Sequence, residues 1–237
     1  MALTTILFDL DGTLLPMDQD KFVEIYFGSL VKKLVPYGYE PNKLVQSVMQ
    51  GTMAMVQNNG ERTNEESFWT LFSQIYSQPY KKDEEIFEEY YKENFSLTKA
   101  SCGFNEKAAK TVHALKAKGY KVALATNPIF PRIATEQRIR WAGLEPSDFE
   151  LVTTYENASY CKPNPAYYQE ILGKLGVSGE ECLMVGNDAV EDVAATKLGM
   201  KIFLIPDCLI NKKNADLSNY PQGDFDKLLE FVDELAK

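Results

Sequence analysis

Two carboxylates stand two residues apart in Ile6-Leu7-Phe8-Asp9-Leu10-Asp11-Gly12-Thr13-Leu14-Leu15, where an apolar run of strand type ends. On extended chain that spacing puts both acids on one face, looking into one space. An acid at the end of a buried strand must be hydrated, paired or bound to a cation. Two like charges so close are costly unless a cation lies between them or one keeps its proton. Gly12 lets the backbone leave sharply and curl around whatever the acids hold. A capped turn would also use Asp and Gly, but the whole run followed by Asp-x-Asp-Gly-Thr is much rarer than a turn.

Three further segments carry polar groups directly after, or just before, apolar or helical runs. Thr126-Asn127-Pro128 follows Lys121-Val122-Ala123-Leu124-Ala125. Its hydroxyl, its amide and the backbone N–H groups of the turn can donate to phosphate oxygens. Tyr160-Cys161-Lys162-Pro163 precedes a helix start at Asn164-Pro165. A lysine ammonium about 4 Å from a phosphoryl oxygen is worth on the order of 4 kcal/mol per charge at an effective dielectric of about 20. Met184-Val185-Gly186-Asn187-Asp188-Ala189-Val190-Glu191-Asp192 gathers acids after the run Cys182–Val185.

These segments need elements to hold them together. After Leu15 the apolar spacing turns helical for about eighty residues, with four helices expected. The first carries Phe22 to Leu34 and ends at Pro36 and Gly38, and the second opens at Pro41. Thr63-Asn64-Glu65-Glu66 is a capping box for the third, and Asp83 is the expected cap of the fourth. Brief connections make these a small bundle. From Gly103 helices and apolar strands alternate: helices near 105–118, 131–142, from Asn164, near 190–198 and from Asp224, and strands at 121–126, 149–152, 182–185 and 201–205. Alternation of that kind means a parallel sheet covered on both faces, with ligands at its carboxyl edge. The expected fold is α/β: a doubly wound parallel sheet, a Rossmann-like core, with an inserted α-helical bundle cap. The core takes 1–16 and 103–237, and the cap 17–102.

Composition narrows the partners. The chain has 237 residues, 45% of them hydrophobic and 25% charged, as a globular protein should. A net charge of -9 argues against nucleic acid and anionic membrane. No apolar stretch reaches the roughly 20 residues of a membrane helix, and the start lacks a basic leader. Four cysteines without a Cys-x-x-Cys pair suit free thiols and a cytoplasmic location. Nothing in the sequence sets the oligomeric state.

The opening segment resembles the first motif, Asp-x-Asp-x-Thr, of the haloacid dehalogenase-like hydrolase superfamily. The other three segments resemble its later motifs in the family's order. The resemblance implies Asp9 as nucleophile on phosphorus, Asp11 as general acid/base, Thr126 and Asn127 as phosphate-binding groups, and Lys162 as both catalytic and phosphate-binding. It implies Mg²⁺ held by Asp9, by Asp11 through its backbone carbonyl and by Asp188, with Asp192 orienting a bound water or Lys162 from behind. Asn187 departs from the commonest form, where a second acid follows the glycine, so weaker metal binding is expected. A helical cap between the first two motifs resembles the phosphoglycolate phosphatase and beta-phosphoglucomutase group. The function implied is an Mg²⁺-dependent phosphatase acting on a small-molecule phosphate monoester through an aspartyl-phosphate on Asp9. A mutase of the same family, or a weakly active regulatory protein on the same fold, is the alternative. The single histidine, His113, lies outside the cap, where a mutase would want one. Arg62, Lys32 and Lys33 are the basic candidates of the cap.

Overall fold

The computed structural model describes residues 2–77 and 81–235. Four parallel strands, β1 (Thr5–Phe8), β2 (Lys121–Leu124), β3 (Cys182–Gly186) and β4 (Lys201–Leu204), form a sheet in the order β2-β1-β3-β4. β1 is central, with Phe8 level with Leu124 on one side and Val185 on the other. The chain runs to β2 on one side of β1 and then crosses to β3 on the other, and the resulting crevice opens at the carboxyl ends of β1, β2 and β3.

Alternation along β1 divides the core. Ile6 and Phe8 join Leu183, Val185 and Phe203 on one face, and Leu7 joins Ala123, Met184 and Leu204 on the other. Helices α5 (Glu106–Ala117), α6 (Arg132–Trp141) and α8 (Phe225–Leu235) cover the first face. Helix α7 (Pro165–Leu175) covers the second through Tyr167, Tyr168, Ile171 and Leu172. Apolar cover on both sides is why the strands read as continuous hydrophobic runs.

Between β1 and α5 lie α1 (Gln19–Leu34), α2 (Pro41–Val56), α3 (Asn64–Tyr76) and α4 (Lys81–Glu93), followed by a 3₁₀ segment, Phe95–Ser101. Their start signals are local. The Asp18 carboxylate accepts from the Lys21 N–H, Glu40 caps α2 ahead of Pro41, and Thr63 and Glu66 close a reciprocal box on α3. The insert is closed where it meets the sheet: Met17 bridges Cys102, and the Gly103 N–H donates to the Pro16 carbonyl at 2.8 Å. Phe95 stacks on Trp141 of α6 at 5.7 Å, so insert and sheet share one apolar cluster.

Three expectations are corrected. Residues 149–152 fall short of a regular strand: they pair in parallel with the outer edge of β2 through Glu150 N–H to Val122, Leu124 N–H to Leu151 and Thr153 N–H to Leu124, around one bridge, Leu124 to Val152, and Asn157 takes the Val152 carbonyl through its side chain. Residues 190–198 are not an α-helix. The Asp188 carboxylate draws in the Val190 and Glu191 N–H groups, and only Val193–Leu198 winds, as 3₁₀. Asp83 is not a cap but lies inside α4, buried, and accepts from the Tyr39 hydroxyl. Among the described residues no helix is long and apolar enough to cross a membrane.

Candidate active site

Asp9 follows β1 directly, and its N–H still donates to Val185 of β3 at 2.8 Å, so the strand pairing itself aims the acid into the crevice. Lys162 reaches the same point from the loop before α7. Its ammonium lies 2.8 Å from Asp9 Oδ1 and 2.6 Å from Asp192 Oδ1, and its side chain is about 1% exposed. Burial opposes that charge, but Asp192 and Asp9 outweigh it and hold Lys162 well above the ordinary lysine range. Burial in turn pushes Asp9 up, with Lys162 pulling back and Asp11 adding to the rise. Asp192 is pushed up to about 6, chiefly by burial.

Asp192 does two jobs at once. Its other oxygen, Oδ2, accepts from the Asn187 and Asp188 N–H groups, each at 2.9 Å, which fixes the loop after β3. Gly186 must be glycine here, because a Cβ would sit 2.1 Å from that oxygen. Asn187 has both ends of its side chain engaged: Oδ1 accepts from Thr13 at 3.1 Å and Nδ2 donates to the Cys208 carbonyl at 2.7 Å. It therefore joins the first and last motif loops. Gly12 lies against it at φ +86°, and a Cβ there would meet Asn187 Nδ2 at 2.2 Å. Asp188 beside it lines the cleft with the remaining carboxylate oxygen uncommitted to Val190 or Glu191.

Asp11 points to a residue that the motif spacing does not reveal. Arg138 of α6, buried, donates to Asp11 Oδ2 and lies 4.7 Å over the Phe130 ring. Burial pushes Asp11 up while Arg138 pulls it down. The second Asp11 oxygen is buried without a hydrogen-bond partner. A carboxyl so placed can donate or accept a proton without being consumed by its neighbours.

Thr126 and Asn127 both line the cleft. Thr126 is buried at the end of β2, its carbonyl held by Tyr167 at 2.8 Å and Thr153 at 2.7 Å. The Asn127 amide nitrogen donates to the Glu191 carboxylate at 3.1 and 3.2 Å. Glu191, pushed up to about 7 mainly by burial, is a second group to which motif spacing gave no role.

The donor set suits a hard divalent cation. Asp9, Asp11, Asp188, Asp192 and Glu191 face only Lys162 and Arg138 across these contacts, leaving negative charge in excess. Among the described residues no three Asp, Glu, His or Cys side chains converge as a cage. A metal here would rest on two carboxylates, a backbone carbonyl and water, the sparse oxygen set that Mg²⁺ accepts.

A profile of the haloacid dehalogenase-like hydrolases matches residues 3–198, a span that includes Asp9, Asp11, Thr126, Asn127, Arg138, Lys162, Asp188 and Asp192. The chain belongs to that family, and is a hydrolase. Among curated relatives, Pyrophosphatase PpaX of Bacillus cereus (strain AH820) is 27% identical over 202 residues, 85% of this chain and 82% of its own. PpaX of Bacillus anthracis (strain CDC 684 / NRRL 3495) is 26% identical over 238 residues, 100% of this chain and 98% of its own. Among solved structures, a HAD phosphatase from Thermococcus onnurineus superposes with a TM-score of 0.59 at 20% identity, over 97% of this chain and 98% of that one. The 2-haloacid dehalogenase of Pseudomonas syringae pv. Tomato DC3000 gives 0.64 at 19%, over 98% and 99%. Both share the fold.

A cap contact completes the site. Asn64, buried at the start of α3, donates to the Pro128 carbonyl at 3.1 Å and the Tyr160 carbonyl at 3.3 Å, the loops that carry Thr126 and Lys162. The cap's expected cations stand elsewhere: Lys33 pairs with Glu89 and Glu93, Arg62 reaches Thr70, and Lys32 is exposed. None of the three lines the cleft. In sequence, Arg138 and Glu191 look like ordinary charged residues of helical stretches; only burial distinguishes them.

Proposed function

We propose that the chain is an Mg²⁺-dependent phosphatase that hydrolyses a small-molecule phosphate monoester. The observation that carries it is Lys162 held between Asp9 and Asp192, with Asp11 two residues on and secured by Arg138. Asp9 attacks phosphorus, forming a carboxylate–phosphorus bond as the bond to the leaving oxygen breaks. Asp11 gives that oxygen its proton, then takes one from the water that attacks the aspartyl-phosphate and frees Asp9. Lys162 keeps Asp9 ionised and oriented and, with Thr126 and the turn N–H groups, stabilises the phosphoryl oxygens. Asn127 steadies Glu191 beside them. Asp9, the Asp11 carbonyl and Asp188 would hold Mg²⁺. That ion supplies charge neutralisation for the acids and the transferring phosphoryl group.

The division into a core of 1–16 and 103–237 and a cap of 17–102 is supported by the Met17–Cys102 bridge, at which the helical insert begins and ends. The cap would exclude water and choose the substrate. His113 lies exposed on α5, 3.4 Å from Asp148, which favours hydrolysis over a mutase cycle. A cytoplasmic setting suits the four unpaired thiols.

The test is release of inorganic phosphate from a generic aryl phosphate with and without Mg²⁺, beside Asp9→Asn. Turnover that needs Mg²⁺ and disappears in the variant supports the assignment. Turnover that survives in Asp9→Asn, or indifference to the metal in both turnover and melting temperature, overturns it.

A further inference from the structure

The cleft above Asp9 and Asp11 encloses about 1200 Å³, more than a phosphate and a small acid would fill. Its floor is acidic, but its walls are not. Phe130, which stacks on the Arg138 that holds Asp11, lies edge-on to Phe22 at 5.9 Å and to Tyr26 at 5.5 Å, both on α1. An apolar wall therefore begins beside the acid that would protonate the leaving group and continues up the cap. Farther along, Val23 of α1 and Met49 and Met53 of α2 line the same cleft while 50%, 56% and 50% exposed. Large apolar side chains gathered this way, with solvent access and no protein partner, mark a surface made for a ligand. Methionines adapt to ligands of varied shape. Cations are scarce: among the described lining residues only Lys212 and Lys213 carry positive charge, both exposed and both on a core loop.

From this lining we infer that the substrate is a phosphate monoester with an uncharged, largely apolar leaving group, seated between α1 and α2 against Phe130. The inference rests on the phosphatase assignment above. In the reaction Asp9 bonds to phosphorus as the P–O bond to the leaving alcohol breaks and Asp11 protonates that alcohol; water then forms its own bond to phosphorus as the Asp9–P bond breaks, and gives its proton to Asp11. A pyrophosphate or a small acidic phosphate would place a second anion against a cap lining that, among the described residues, offers amides and a hydroxyl, Gln19, Gln50, Thr52 and Gln57, but no cation to answer its charge.

The experiment measures kcat/KM with Mg²⁺ for straight-chain alkyl phosphates from methyl to hexyl, beside pyrophosphate and phosphoglycolate. The longer members of the alkyl series leave as alcohols of nearly equal basicity, so the comparison isolates binding. The expected result is a rise of up to about fourfold per methylene, as burial of each group predicts. Met53→Glu, a substitution at an exposed position, should cut the hexyl-to-methyl ratio at least tenfold. A flat series, or a steep one unchanged in Met53→Glu, overturns the inference and leaves the phosphatase standing. Pyrophosphate turned over faster than hexyl phosphate, with that rate lost in a Lys212→Ala/Lys213→Ala double variant, overturns it in favour of a polyphosphate substrate. No phosphate release from any compound removes the phosphatase assignment and the inference together.

Discussion

Arg138 donates through Nη1 to Asp11 Oδ2, joining the middle of α6 to the loop after β1 across 127 positions of sequence. The guanidinium is buried, its carbon 4.7 Å over the Phe130 ring, and it is further held by Thr135 Oγ1 at 3.3 Å. Arg138→Met keeps the apolar stem and removes the charge. Because Arg138 pulls Asp11 down, its loss moves the Asp11 titration up. We expect kcat to fall about 10- to 100-fold, a fraction of what general acid–base catalysis contributes. The kcat–pH profile should shift to higher pH. A merely structural Arg138 would lower the amount of folded enzyme and leave the profile in place. Arg138→Lys should restore little, since a point charge cannot reproduce the planar stack.

Gly186→Ala places a methyl where Asp192 Oδ2 now lies, 2.1 Å from its would-be Cβ. The strand on one side and Lys162 on the other leave Asp192 little room to yield. Overpacking of this kind costs about 1–3 kcal/mol, readable by urea denaturation. Activity should fall by more than the folded fraction does, because Lys162 loses one of its two anchors.

Glu191→Gln tests the acid balance of the cleft. Burial raises the Glu191 carboxyl from the ordinary 4.5 to about 7. A raised acid contributes stability that is fully present below about pH 4.5 and lost as pH rises through about 7. In the presence of chelator the glutamine variant should therefore gain on the parent between pH 4.5 and 7.5, by roughly 3 kcal/mol at most. Unfolding free energies across that range would show two curves separating as pH rises; parallel curves would place Glu191 in solvent.

Asn64→Ala removes the donor that α3 extends to the Pro128 and Tyr160 carbonyls, and the acceptor for Asn58 Nδ2 at 2.9 Å. Buried groups left unpaired cost about 1–3 kcal/mol each, so a loss near 3 kcal/mol is expected. Since those carbonyls belong to the loops of Thr126 and Lys162, kcat should drop together with stability, and the cap loops should gain amide exchange. Unchanged exchange at 58–66 would show that the cap is held by its apolar contacts alone.

What the sequence determined by itself is what neighbours in the chain decide. The Asp9–Asp11 spacing, the glycine after it, the Thr63–Glu66 box and the Asn164-Pro165 start are set by backbone geometry over three or four residues, and each stands where it was expected. The parallel sheet followed from apolar runs long enough to be buried on both faces. Other features depended on partners far along the chain. Residues 149–152 had the hydrophobicity of a strand and do pair with the outer edge of β2, but only through three backbone hydrogen bonds around a single bridge, too few for a regular strand. Residues 190–198 had helical spacing, but Asp188 and Asp192 spend their carboxylates on the loop backbone, and that competition turns the chain before it winds. Arg138, Glu191 and Asn64 are common residue types in polar helical stretches. Only the tertiary structure buries Arg138 and Asn64 and half-buries Glu191, and burial is what converts an ordinary charge or amide into one that must be matched by a particular partner. The large apolar cleft belongs to the same class, since it is made by side chains of separate helices brought together over the carboxyl ends of the strands.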